Sequence, residues 1–516
     1  MVAPPSSKLR DSQQRLSSIW QAIKSGRPGI FTSVVIPSLS LDADELTKIA
    51  GVPFYEERLL FLLIRLRDPR ARVVYVTSQP IHPEIIDYYL HHLVGVSALR
   101  ARHHATFLCV HDASPRPLTE KILERPRVIE RIRQSVADPA AAYLTCYNST
   151  HRERELAEVL GIALNGVDPE LLGLGTKSGS RRVFASAGVD RPAGREGVRT
   201  AEDVVDGLLE LKRERPGLGS AVVKLDESFA GTGNAVFRYP EPWPEDEPGR
   251  RSATSAALPG LEWNVPAAAH SFWDKLSASG GVVEELIEAG DLRSPSVQMR
   301  IDPGGEVELV STHDQVLGGA SAQTFIGCRF PADAGYRDAI QRAALAVGRE
   351  LRDRGVISRL GIDFVAWEAP TGGWRTAAIE INLRMGGTTA PFLALQFLTG
   401  GDLDRETGRF LSATGREKFY YATDRLASPA YRGLLPEDFV DILETNRLGF
   451  RPATETGVLF HMIGALSEHG KVGVTCIGDS RQDADDRYRR TTEVLDRETG
   501  EGATEQRQRG GLPQME

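Results

Sequence analysis

The sequence has little that would mark a membrane, secreted or nucleic-acid-binding protein. Its longest apolar run, Leu59–Ile64, stops at Arg65, far short of the ~18 apolar residues of a membrane span. The N-terminal stretch MVAPPSSKLRDSQQ has no apolar segment of the secretory kind. Four cysteines, Cys109, Cys146, Cys328 and Cys476, form no Cys-x-x-Cys or Cys/His spacing, so they read as reduced and mostly buried small hydrophobes. Positive charge is in deficit, with 62 Lys and Arg against 70 Asp and Glu; a net charge of −8 is a poor basis for wrapping nucleic acid. Two nucleotide signatures are also missing. No Gly-x-Gly-x-x-Gly follows the early strands, and Leu171–Ser178 has Thr176 where a P-loop needs glycine before its lysine. What remains is ordinary globular composition, 41% apolar and 26% charged. It implies a cytoplasmic, multidomain protein of about three domains.

The hydrophobic pattern divides the 516 residues into segments. In residues 1–165, Leu9, Leu16, Ile19 and Ile23 repeat at helical spacing. Apolar runs at Val34–Leu39, Val73–Ser78, Thr106–Val110 and Ala141–Tyr147 then alternate with helical stretches such as Glu56–Leu66. That alternation predicts a parallel α/β sheet. Residues 166–400 begin with a helix ending at Gly188, then a capped helix announced by Thr200 and Asp203. A hairpin of Ala221–Leu225 and Ala235–Tyr239 follows, and then a proline-rich surface loop over 240–260. Strands are expected at Val282–Ile287, Ser296–Ile301 and Glu306–Thr312, a helix at Tyr336–Arg354, and a strand pair at Gly361–Glu368 and Thr376–Asn382. Residues 401–498 read as a small α+β domain and 499–516 as a polar tail.

Three constellations carry chemistry. Asp363 lies in one member of the last strand pair, and Glu380 and Asn382 lie two apart on the other, so they share a face. Two carboxylates and an amide oxygen suit a hard cation such as Mg²⁺. Arg384, two positions further, would hold a carboxylate or phosphoryl group. A salt-bridged surface strand is the competing reading. Second, Lys224 precedes a small-residue loop whose Gly231 and Gly233 let backbone N–H groups approach phosphate; an ordinary hairpin tip would look the same. Third, an apolar strand leading into acidic residues would set adenine against its backbone and Glu284 or Glu285, with Glu288 or Asp291 at ribose hydroxyls; a solvated acidic strand end would look the same. Within Ser311–Gln315, read as the passage from strand to loop, His313 or Asp314 would orient an amine or take its proton. A structural histidine is the alternative there. Tyr55, Glu56, Glu57 and Arg58 read as packing and pairing at a helix start.

The order of these pieces, TKSGSRRVFASAGVDRP, AVVKL with its loop, VVEELI, GIDF and EINLRMGG, resembles the ATP-grasp superfamily over roughly residues 166–400. VVIPSLSLD, YEERLLFLLIRLRDP and VVYVTSQPI near the N-terminus, with GVLFHMIGAL and GKVGVTCIGDS near the other end, are similar to the pheganomycin-type peptide ligases. The resemblance implies an N-terminal pre-ATP-grasp α/β domain, an ATP-grasp domain with a lid at about 190–285, and the small C-terminal domain. It implies an ATP-dependent carboxylate–amine ligase working through an acyl phosphate, in peptide natural-product biosynthesis. ATP would be held by Lys177, Lys224, Ser228, Gly231, Thr232, Gly233, Glu284, Glu285, Leu286, Glu288 and Asp291. One or two Mg²⁺ ions, or Mn²⁺, would sit at Asp363, Glu380 and Asn382. Arg384, Lys224, His313 and Asp314 would act on substrate. Partners would be amino-acid or peptide-like acids and amines, with a homodimer allowed. Alternatives are an ATP-grasp enzyme activating another carboxylate, or a non-catalytic nucleotide-binding regulator.

Overall fold

Continuous Val/Ile runs that cannot leave either face wet build the first layer. In the computed structural model, which describes residues 7–228, 233–264, 269–318 and 324–500, strands β1 (Phe31–Ile36), β2 (Ala71–Thr77), β3 (Ala105–Cys109), β4 (Ala142–Cys146) and β5 (Ala163–Asn165) form a parallel sheet in the order β3-β2-β1-β4-β5. β1 is buried along its whole length, as a strand covered on both faces must be.

The second sheet is antiparallel. It orders β6 (Gly194–Val198), β7 (Ser220–Leu225), β8 (Asn234–Arg238), β9 (Glu262–Trp263) and β10 (Gly281–Glu285) as β6-β10-β7-β8-β9. Thr200 and Asp203 make the reciprocal capping contacts that the sequence announced. The proline-rich stretch is not all loop: Glu247–Ala257 is helical. Asp246 accepts the Gly249 N–H, and a proline stands in the first turn, where its missing N–H costs nothing.

The third sheet has nine strands. Here β11 (Leu292–Arg293), β12 (Pro295–Ile301), β13 (Val307–Gly318), β14 (Thr324–Phe330), β15 (Ser358–Glu368) and β16 (Trp374–Asn382) are followed by a two-stranded ribbon, β17 (Asp402–Leu403) and β18 (Phe410–Leu411). β19 (Phe419–Ala427), β20 (Gly457–His461) and β21 (Lys471–Gly478) then extend the same large sheet through the β14–β19 pairing. Ser311–Gln315, expected at a strand end, therefore lies inside β13. Helix Ala334–Asp353 covers one face, where Gly348 meets Met299 and Val307. Helix Thr389–Thr399 covers the other, where Thr389 bonds Gln298.

A buried run of 3-10 turns, Val52–Arg67, ties the first sheet to the C-terminal strands. Glu56 accepts from the amide and hydroxyl of Ser78. Glu57 accepts the Gly464 N–H at 3.2 Å. Arg58 reaches Asp424 at 3.0 Å and lies between the rings of Tyr55 and Tyr147. Burial pushes the Glu57 carboxyl up to about 8, so the native state keeps a proton that the unfolded chain loses near 4.5. Its contribution is full at low pH and is lost as pH rises through that window. Thermal melts between about pH 5 and about pH 8 should show a declining melting temperature, and Glu57→Gln should flatten the decline.

Candidate active site

Helix Lys177–Ser186 positions two of the cations. Thr176 caps it by accepting the Gly179 N–H at 3.0 Å, and Asp226 accepts the Ser178 N–H at 2.7 Å, so the orphan donors of the first turn are satisfied. Lys177 and Arg181 stand one turn apart on one side. Lys177 pairs with Glu380 on the third sheet. Arg181 pairs with Glu284 at 2.7 Å and Glu196 at 2.8 Å on the second, and donates to the carbonyls of Pro192 and Gly194. Lys224 meets the other oxygen of Glu284 at 2.5 Å. Burial alone would raise the Glu284 carboxyl, but Lys224 and Arg181 together hold it below the usual range.

The β15–β16 hairpin closes the numbering gap between the acidic residues. Asp363 stands opposite Glu380, and Gly361 opposite Asn382. Asp363 accepts from the Gln315 amide at 2.8 Å and from the Asn382 amide at 2.9 Å. Burial first, and Glu380 second, push its carboxyl up to about 7, against the pull of Lys177, Arg384 and Gln315. Two adjacent carboxylates short of positive charge, with an amide oxygen beside them, fit a hard divalent cation. Arg384 follows on the same chain segment and donates to the Met385 carbonyl.

The other expected residues divide. The Ser228 hydroxyl is buried without a partner among the described residues. A Cβ at Gly233 would fall 2.7 Å from that of Ser228, so the loop's return needs glycine. Gly231 and Thr232 lie outside the described residues. Glu285 accepts the Ala193 N–H at 2.8 Å, and the Leu286 N–H bonds the Ser220 carbonyl. Glu288 is exposed near Arg238, and Asp291 pairs with Arg293 at 2.7 Å.

Three expectations need correction. Glu284, expected beside adenine, has both its oxygens on cations, Arg181 and Lys224, and so anchors Lys224. His313 is fully buried against Phe330 and bonds the Tyr420 hydroxyl. Burial pushes it down to about 3, too weak a base for proton removal near neutrality. Asp314, one position on, faces the opposite side of the sheet, where it accepts from Tyr336 and Arg481. Gln315, which alternates with His313, is the β13 residue that reaches the acidic pair. Gln315, Arg181 and Asp226 escaped the sequence reading. The spacing of Lys177 and Arg181, and a longer β13, were the available signals.

Residues 171–239 and 267–406 match a family model described as IQCH-like, ATP-grasp. Residues 438–491 match one described as PGM1 C-terminal domain. Over 472 residues the chain is 30% identical to L-propargylglycine–L-glutamate ligase of Streptantibioticus cattleyicolor, covering 90% of this chain and 94% of that protein. The chain belongs to the ATP-grasp ligases. This ATP-grasp ligase is also 25% identical over 441 residues to IQ motif-containing protein H of Danio rerio, covering 77% of its own length but 41% of that protein's. Among solved structures, the biotin carboxylase domain of Hydrogenobacter thermophilus 2-oxoglutarate carboxylase, in complex with MgADP and bicarbonate, superposes with a TM-score of 0.53 at 13% identity, covering 90% of this chain and 89% of that one. Biotin carboxylase from Campylobacter jejuni, complexed with β,γ-ATP, gives 0.51 at 15%, covering 88% and 89%. These two likenesses concern the fold, and the resemblance read from the sequence holds.

In this ATP-grasp ligase, Glu284→Gln would leave Arg181 and Lys224 facing each other without their shared counter-charge. A loss of about 3–5 kcal/mol in urea unfolding is expected.

Proposed function

We propose that the enzyme joins an amino-acid or peptide-like carboxylate to an amine through an acyl phosphate, releasing ADP and phosphate. The observation that carries this reading is the meeting of Asp363, Glu380 and Asn382 with Lys177 on one face, with Arg384 next in the chain. A relative named for joining L-propargylglycine and L-glutamate supports amino-acid substrates.

A carboxylate and a polyphosphate repel, so their approach has to be screened. In this reading Lys177 and Lys224 meet phosphate oxygens, each held in place by a glutamate. Ser228, Gly231, Thr232 and Gly233 close over them. Glu285 and the Leu286 backbone border adenine, and Glu288 or Asp291 takes the ribose. Asp363, Glu380 and Asn382 would hold one or two Mg²⁺, with Mn²⁺ as a substitute. Bound there, a divalent ion supplies neutralising charge to the phosphoryl group. Arg384 holds the acid while its oxygen bonds to the γ-phosphorus and ADP leaves. The amine then attacks the acyl carbon, a C–N bond forms, phosphate departs with the electron pair of the broken C–O bond, and the proton lost from nitrogen leaves on the phosphate. A closed loop keeps water from taking the amine's place. No side-chain nucleophile is required. The reading extends to a cytoplasmic enzyme of peptide natural-product assembly, with a homodimer allowed.

With MgATP, acid and amine, the products should be ADP and phosphate; AMP and pyrophosphate would exclude an acyl phosphate. Glu380→Gln should lower turnover by at least about 100-fold with an unchanged circular-dichroism spectrum. Normal rates would refute the assignment of the metal ligands.

A further inference from the structure

The face that carries Asp363 changes sign along its length. In the β12–β15 register, Ser296 stands opposite Asp363, Gln298 opposite Gly361, and Arg300 opposite Arg359. Alternate residues share a face, so the guanidinium pair lies on the same side as the acidic pair, roughly 13 Å further along the strands. There the sheet meets the N-terminal α/β layer across a cavity of about 440 Å³ lined by Arg65, Arg300, Arg359, Arg384, Trp20 and Tyr143. That volume is of the size that small-molecule sites occupy.

The charge of this cavity is poorly compensated. Arg300 lies over the Trp20 ring at 4.1 Å; its carboxylate neighbours are Glu308, 4.0 Å away and shared with Arg405 at 3.6 Å, and Asp302, which is already engaged by Lys24 and the Trp20 N–H. Arg65 donates to the hydroxyls of Ser33 and Thr145 and sits against the Tyr143 ring. Arg359 makes no ion pair among the described residues. Asp68 also lines the cavity but is paired with Arg70 at 2.6 Å. Desolvation, then the neighbouring Arg300 and Arg65, hold the Arg359 guanidinium down at about 9, against the weaker pull of Glu308. Stacking on Trp20 accounts for the plane of Arg300 but not for a second and third guanidinium beside it. Like charges facing a cavity are an unmet demand for an anion, and forked guanidinium donors fit a carboxylate.

We propose that this cavity takes a second carboxylate of the acid being activated, so that the acyl donor is a dicarboxylate: an acidic amino acid or a short peptide ending in one. The assignment rests on the ligase reading, because Leu383, Arg384 and Met385, which directly follow Asn382, line the same cavity. The donor's reacting carboxylate lies at that end, and its other carboxylate lies under Arg300 and Arg359.

The test is equilibrium binding of radiolabelled L-glutamate without ATP, with glutarate, butyrate and inorganic phosphate as competitors. Glutarate should displace the label at least about tenfold better than butyrate or phosphate. Arg359→Gln should weaken L-glutamate binding by about tenfold or more and erase the advantage of glutarate. Arg359→Lys, which keeps the charge but loses the fork, should fall between. Removing a repelled cation should leave the melting temperature unchanged or higher, which separates a lost binding group from a lost structural one. Absence of saturable binding of either dicarboxylate would overturn the proposal. So would displacement by phosphate equal to that by glutarate, or an Arg359→Gln protein that binds L-glutamate normally while its KM for the amine rises. Glu380→Gln should form ADP at least about 100-fold more slowly with L-glutamate as the acid. If the wild type binds L-glutamate through Arg359 yet forms no ADP with any acid, the ligase reading falls and the anion site stands.

Discussion

Two carboxylates forced side by side on a buried hairpin are the constraint around which the site is organised. Asp363 and Glu380 stand opposite each other in β15 and β16, and the backbone register makes them neighbours on one face. Lys177 answers part of the charge, and it arrives there only because helix Lys177–Ser186 is anchored at its first turn by Thr176 and Asp226. One turn later the same helix sends Arg181 to Glu284, and Glu284 in turn holds Lys224. The two lysines are thus placed by two glutamates on two different sheets, through one helix. Breaking such a buried chain at one member is costly because the survivor stays desolvated without its partner. Asp363, pushed up to about 7 by burial and then by Glu380, is the member of this group that has no ion pair of its own among the described residues.

Local geometry was legible in the sequence wherever a period decided it. Glu380 and Asn382 alternate on a strand, a Pro-Thr-Gly-Gly turn closes the hairpin onto Asp363, and Thr200 with Asp203 caps a helix. What covers a face was not legible. His313 and Gln315 share a side of β13, yet one is packed against Phe330 and Tyr420 and the other bonds Asp363. The difference comes from strand β19, more than a hundred positions later, which brings Tyr420 opposite Phe330. Asp314 illustrates the reverse case: a one-residue step moved it to the face under helix Ala334–Asp353. Glu284 looked like the end of an apolar strand, because the two cations that claim it are 60 and 103 residues away.

The N-terminal and C-terminal segments are part of the same machine rather than attachments. Glu56, Glu57 and Arg58, three consecutive polar side chains, are all buried. Each goes to a different segment: the end of β2, the turn after β20, and Asp424 of β19. Helix-start packing was the right expectation for their chemistry, but the partners lie far off in sequence. Buried polar contacts of this kind are weak contributors to net stability and strong specifiers of arrangement. They fix how the parallel sheet lies on the large antiparallel one, and so fix the cavity between them.

Distance makes the two ends of that shared face nearly independent. At roughly 13 Å and an effective dielectric of about 20, a carboxylate and a guanidinium attract by only about 1 kcal/mol. Cations gathered around Asp363 and Glu380 therefore do nothing for the crowding of Arg65, Arg300 and Arg359, and those arginines do little for the acidic pair. Each end has to be neutralised locally. The acidic end fits a divalent ion and the phosphates it accompanies. The basic end fits only an anion, and Arg384, just past Asn382, lines the cavity beside it. A substrate acid with charge at both ends satisfies this face better than an acid with charge at one.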